Sequence, residues 1–205
     1  MKNYLILIIL LFSVKSISQN DTKEKFQKNK YDLGISYFKK SDFVKALDQF
    51  SIASKIKPDN EIAQQALKKV DTLKEILRKD ILAKVNGTWL MTGDKPDWTL
   101  SAKEDFKNKK VDKLIEVVQD KLLFYDQDRK SKVKTLTKTE NIIYFNNDKS
   151  DSLYSAIILS DGKIWDCFLD ENSKTIRAVN IAEKGENGIE KITDTNKEVY
   201  YIKVI

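Results

Sequence analysis

The chain contains no histidine and one cysteine, Cys167. Without histidine it lacks the commonest general base near neutral pH, the usual activator of a serine or cysteine nucleophile and the commonest transition-metal ligand. A lone cysteine forms neither an internal disulfide nor a cysteine-cluster zinc site. Cys167 lies in the alternating run Ile164 to Leu169, where a small buried core residue is expected. Glycine-rich phosphate loops and serine-nucleophile motifs are missing too. Most acids stand in turn segments, among them Asp126, Asp128, Asp148, Asp151, Asp161 and Asp170, where aspartate is a turn former. None of these segments resembles an EF-hand loop. Asp166 is the odd acid, in mid-strand, and its alternation with Ile164 and Phe168 predicts an outward, solvated position. The expectation is a non-enzymatic chain with no cofactor and no metal.

Glycine and proline are scarce as well, six and two in 205 residues. Between Asp21 and Val85 only Gly34 and Pro58 interrupt the chain, so long helices are expected there. A hydrophobic content of 41% with clear periodicity marks a folded chain of one or two domains despite 33% charged residues. The formal charge of +6 is uneven: residues 19–85 carry 15 Lys+Arg against 10 Asp+Glu, whereas residues 86–205 carry 20 against 21. A lysine-rich helical surface without a dense basic stripe or interleaved aromatics does not predict a nucleic-acid partner.

Long apolar runs are missing with one exception. Met1-Lys2-Asn3, then Tyr4 to Phe12, then Ser16-Ile17-Ser18, is the pattern of a secretory signal peptide cleaved after Ser18. The apolar run is shorter than the ~20 residues needed to span a bilayer. No integral span is therefore expected after cleavage, and retention of residues 1–18 as an anchor is the alternative. The mature chain would be exported, periplasmic or secreted.

From Asp21 to Val85 apolar residues recur at helical spacing. Ser41-Asp42 predicts the start of a second helix and Pro58-Asp59-Asn60-Glu61 a stop followed by a third. The signature Leu33, Gly34, Tyr37, Ala46, Phe50, Ala53 and Pro58 resembles a single tetratricopeptide repeat over residues 27–60. The resemblance implies a helical hairpin in which Gly34 and Ala46 permit close approach and Tyr37 and Phe50 fill the space between helices. Residues 61–84 lack a second signature, so they are expected to pack back as a capping helix through Ile62, Ala66, Leu67 and Val70. Gln64, Gln65, Lys68, Lys69, Asp71 and Lys74 would then face water. The resemblance also implies a partner-binding stripe on the first helix, at Lys28, Tyr31, Ile35, Phe38 and Lys39. That stripe lacks the paired Lys and Asn that grip a carboxylate terminus. A protein or peptide partner, the following domain or a second copy of the chain are its three open coverings.

From Asn86 the texture changes to short runs rich in Val, Ile, Thr, Tyr and Phe. Ten strands are predicted, at about 87–92, 113–119, 121–126, 132–138, 141–146, 152–160, 163–170, 174–180, 189–193 and 198–204, with a helical turn near 102–107. Tight hairpins are expected at Ser160 to Lys163 and at Asp170 to Ser173. The overall class is α+β and multidomain: a helical domain over 19–85 and an antiparallel barrel or sandwich over 86–205. Gly87 and Trp89 resemble the Gly-x-Trp start of lipocalin-like barrels. The late-strand arginine that covers this tryptophan in that family has no match, the last strand offering only Lys203. Aromatics at Trp98, Phe124, Tyr144, Phe145, Tyr154, Trp165, Phe168 and Tyr201 would fill the barrel or line a cavity in it. The leading functional expectation is a protein–protein interaction module, and the alternative is a carrier of small apolar ligands.

Overall fold

The computed structural model describes residues 2–95, 99, 109–146, 148, 151–186, 188–192 and 197–204, with the side chains of residues 2–20 outside that description. The predicted turn near 102–107 and Trp98 also lie outside it. Among the described residues, three helices, α1 (Lys2–Lys39), α2 (Phe43–Ile56) and α3 (Glu61–Val85), precede ten strands. The strands are β1 (Gly87–Gly93), β2 (Val111–Val118), β3 (Lys121–Asp128), β4 (Lys134–Asn141), β5 (Ile143–Tyr144), β6 (Ile157–Ile158), β7 (Lys163–Leu169), β8 (Thr175–Gly185), β9 (Gly188–Lys191) and β10 (Glu198–Lys203). Each matches one of the ten strand segments read from the sequence. No helix among the described residues is long and apolar enough to cross a membrane.

The chain divides into two compact units, Met1–Leu77 with Asn146–Ser152, and Arg78–Phe145 with Leu153–Ile205. This division falls two turns before the boundary expected at residue 85, because the last turns of α3 pack with the strands of the second unit.

In the first unit the breaks between helices follow their capping residues. Asp42 opens α2, its carboxylate accepting from the Lys45 amide at 3.3 Å. Asn60 opens α3, with Oδ1 accepting from the Ala63 amide at 2.9 Å. Gly34 lies against Phe50 so closely that an added Cβ would meet the buried ring at 2.8 Å. Ala46, Leu47, Phe50 and Ala53 of α2 and Ala63, Ala66, Val70 and Leu73 of α3 are buried. Ile62 and Leu67 are half-buried.

Two polar groups also reach the interior of this unit. Gln27 is fully buried and donates from Nε2 to the Ala53 carbonyl at 2.9 Å and to Asn60 Oδ1 at 3.1 Å. Asn60 Nδ2 donates back to Gln27 Oε1 at 2.6 Å, so the two amides satisfy each other. Lys74, expected to face water, is instead buried and donates to Asp151 at 2.7 Å. Segment 146–152 supplies that carboxylate from 77 residues away in sequence, which no helical periodicity can reveal.

In the second unit every strand pairing is antiparallel and the order is β4-β3-β2-β1-β10-β8-β7-β6-β5, with β9 beside β8. The two ends of this order are one stretch of chain, since only Ile142 separates β4 from β5. That stretch pairs β3 with its first part and β6 with its second, which bends the sheet into a nearly closed barrel. Glu140 crosses the seam, accepting from the Ser160 hydroxyl at 2.6 Å and the Ser160 amide at 3.0 Å, with Lys138 as its ion-pair partner. Burial alone would raise the Glu140 carboxyl, but the hydrogen bonds from Lys138 and Ser160 outweigh it and hold the group below the ordinary glutamate range. The turn closing β6 to β7 needs Gly162: its φ is +84°, and a Cβ there would meet the Lys184 carbonyl oxygen at 2.6 Å.

The buried ion pair gives a direct test of the first unit. Asp151→Asn removes the counter-charge and leaves the Lys74 ammonium buried, a change expected to cost about 3–5 kcal/mol. Lys74→Met removes the buried charge itself and is expected to cost clearly less. Urea denaturation of both variants reads the difference, and equal midpoints would mean that the pair carries no such weight.

Candidate functional site

The interior of the barrel holds a partly enclosed apolar cavity. This cavity, of about 80 Å³, lies among Trp89, Ile115, Leu122, Tyr144, Trp165, Cys167, Ala178 and Tyr201, with Ile81, Leu82 and Val85 of α3 across one end. The end of α3 is held there by the barrel itself. Trp89 Nε1 donates to the Val85 carbonyl at 2.6 Å, and Lys203 Nζ donates to the Lys84 carbonyl at 3.0 Å. A helix end leaves such carbonyls without intrahelical donors, and a cation there also complements the helix dipole. Lys203 lies 5.3 Å from the centroid of the Trp89 ring. The last strand thus supplies the cation over this tryptophan from Lys203, although that strand has no arginine.

Nearly all of the cavity wall is apolar, so the alternation of the strands has done its expected work. Phe124 packs edge-on to Trp165 at 6.5 Å, while Phe145 belongs to a separate cluster with Ala156, Ile164 and Ala182. Phe168, though at the margin of the cavity, is largely exposed. Burial pushes the Cys167 thiol up to about 12, which keeps it protonated and unreactive at neutral pH. The Tyr144 hydroxyl is buried with no hydrogen-bond partner. Arg78 stacks over the Tyr144 ring at 4.2 Å. Ligand pockets usually offer about 300–1,000 Å³, so side chains fill most of this interior.

Asp166 stands on the other face of β7, because its neighbours Trp165 and Cys167 point into the cavity. The sequence predicted a solvated acid here, and the structure corrects this: Asp166 is buried and accepts from the Ser155 hydroxyl at 2.8 Å. A chain segment eleven residues away covers it. Burial raises its carboxyl above the ordinary aspartate range, against the lowering effect of the Ser155 hydrogen bond. Beside it runs a second polar chain, in which Arg177 donates to both carboxylate oxygens of Glu198, and the Tyr200 hydroxyl donates to the same carboxylate at 2.6 Å. No group of three or more potential metal ligands occurs among the described residues.

In the first unit the expected stripe on α1 is largely used internally. Tyr31 packs edge-on against Phe50 at 5.3 Å, and Phe38 lies 5.6 Å from Phe43 with Lys69 above its ring. Ile35 is half-buried. Lys28 is exposed and paired with Asp32, and Lys39 is exposed in the last turn. Among the described side chains of α1, the large apolar ones left in solvent are Phe26 and Leu33. Leu33 was read as part of the structural signature, and Phe26 as one more periodic apolar residue. Only their exposure, fixed by where α2 and α3 pack, separates them from core positions.

Comparison with protein-family models, with curated proteins and with solved structures returns no match.

Two outcomes follow from this geometry. Tyr144→Phe removes an orphaned hydroxyl and is expected to leave the unfolding free energy unchanged or to raise it by up to about 1 kcal/mol, read from urea denaturation. Asp166 is ionised in the unfolded chain above about pH 4 but resists ionisation when folded, so the fold is penalised at neutral pH and gains relative stability as pH falls through the raised folded pKa. Asp166→Asn should therefore stabilise the protein at pH 7, with the gain shrinking towards pH 4. A gain that grows on acidification would contradict the burial argument.

Proposed function

We propose that the chain is an exported, non-enzymatic protein–protein interaction module. In this reading the first unit is a single tetratricopeptide-like hairpin with a capping helix, and the second a lipocalin-like barrel. The placement of Gly34 against Phe50 supports the hairpin reading. Burial of Trp89 beneath a cation from the last strand supports the barrel reading. The observation that carries the function is the solvent exposure of large apolar side chains on the hairpin, Phe26 at 52% and Leu33 at 39%. A small barrel void of about 80 Å³ weighs against the carrier alternative, which needs several times that room. The missing histidine and the inert thiol weigh against catalysis. Export rests on the pattern of residues 1–18.

The test is site-specific photo-crosslinking in the producing cell, with the photoreactive residue at Asn29 on α1 or at Lys130 in the β3–β4 turn. A discrete adduct formed from position 29 and not from 130, on a protein whose N-terminus is Gln19, is the expected result. An intact Met1 would remove the cleaved-leader reading, and the absence of adducts from any helical position would remove the interaction module.

A further inference from the structure

We propose that one side of the α1–α2 hairpin, centred on Phe26, Leu33 and Ile52, docks an acidic amphipathic helix of a partner protein. The inference rests on the interaction-module reading and goes further, naming the face and the chemistry of its occupant.

Phe26, Lys30, Leu33 and Tyr37 stand at i, i+4, i+7 and i+11 and so share one line along α1. This line is distinct from Gln27, Tyr31 and Gly34, which face α2. Lys45 lies over the Tyr37 ring at 5.7 Å, which places the first turn of α2 beside the end of the line. Seven residues on, Ile52 falls on the same side of α2. With Gly34 set against Phe50, that brings Ile52 to the level of Leu33. Phe26, Leu33 and Ile52 are 52%, 39% and 38% exposed, a run of apolar positions along two antiparallel helices. Such a run accepts the apolar ridge of a third helix by the ordinary packing of helix on helix.

Charge selects the occupant. Residues 21–56 contain eight lysines and five acids. Four of those acids are already engaged: Asp21 with Lys25, Glu24 with Lys57, Asp32 with Lys28 and Asp42 with Lys45. Lys23, Lys30, Lys39, Lys40 and Lys55 have no ion-pair partner among the described residues. Lys30 sits within the apolar line itself, its ammonium 5.3 Å from the Phe26 ring. Covering it with a neutral or basic helix would desolvate an unpaired charge, whereas acidic residues flanking the apolar ridge would pair it. A second copy of the chain would bring the same unpaired lysines against each other.

The probe is a synthetic helix-forming peptide with leucines at i, i+4 and i+7 flanked by glutamates, and its twin has lysines at the flanking positions. Fluorescence anisotropy with the full chain is expected to show the glutamate peptide binding at least about tenfold more tightly, a difference of ~1.4 kcal/mol. The preference should shrink at high salt, where exposed charges are screened. The double variant Phe26→Ser with Leu33→Gln should lose about tenfold in affinity. Both side chains are exposed, so melting should hold. Lys30→Glu provides a second readout, since it should weaken the preference for the glutamate peptide with the apolar side chains intact. Equal binding of the two peptides, no binding of either, or unchanged binding by these variants would overturn the inference. So would a chain dimer in sedimentation that Phe26→Ser dissociates. If crosslinking identifies a partner held through other positions while the peptides fail, the interaction-module reading survives and this face does not.

Discussion

The last turn of α3 must find donors for its free carbonyls, and the barrel supplies them from two adjoining strands. Trp89 on β1 donates to Val85, and Lys203 on β10 donates to Lys84. These strands are neighbours in the sheet, with Trp89 paired to Lys203 in register. One cross-strand pair therefore satisfies the helix end, holds the fully buried Trp89 and places Ile81, Leu82 and Val85 against the cavity. The backbone requirement of the helix and the packing requirement of the barrel are met by the same two residues.

The opposite side of the barrel has a different constraint. Strands β4 and β5 turn from one partner to another across Ile142, and the ladder cannot continue through that corner. Glu140 spans the gap with a side chain, taking both the amide and the hydroxyl of Ser160. A carboxylate at this depth is retained because its hydrogen bonds and Lys138 outweigh desolvation. Gln27, Lys74 and Asp166 are likewise buried and each has a hydrogen-bond partner, whereas the Tyr144 hydroxyl is buried without one.

All ten strand segments and the two helix starts were legible from residue pattern, because alternation, helical spacing and capping residues act within a few positions of the chain. Gly34 was read as small because helices cross there, and the ring of Phe50 occupies that space. Phe26 reads as one more periodic apolar residue and Leu33 as part of the repeat signature, while the covering of Tyr31 and Phe38 is left open between a partner, the following domain and a second copy. Two helices can pack on more than one side of a periodic pattern, and α2 and α3 took the side of Tyr31 and Phe38.

The sequence by itself determined which segments form strands and where the second and third helices start, the α+β class, the lack of histidine chemistry and the small-residue contact at Gly34. Tertiary structure alone decided that Lys74 and Asp166 are buried, that Glu140 closes a seam and that the barrel keeps only a small void. Periodicity fixes which face of an element is apolar. What covers the other face is set by chain segments far away, and desolvation, which decides the state of a charge, is produced by that cover.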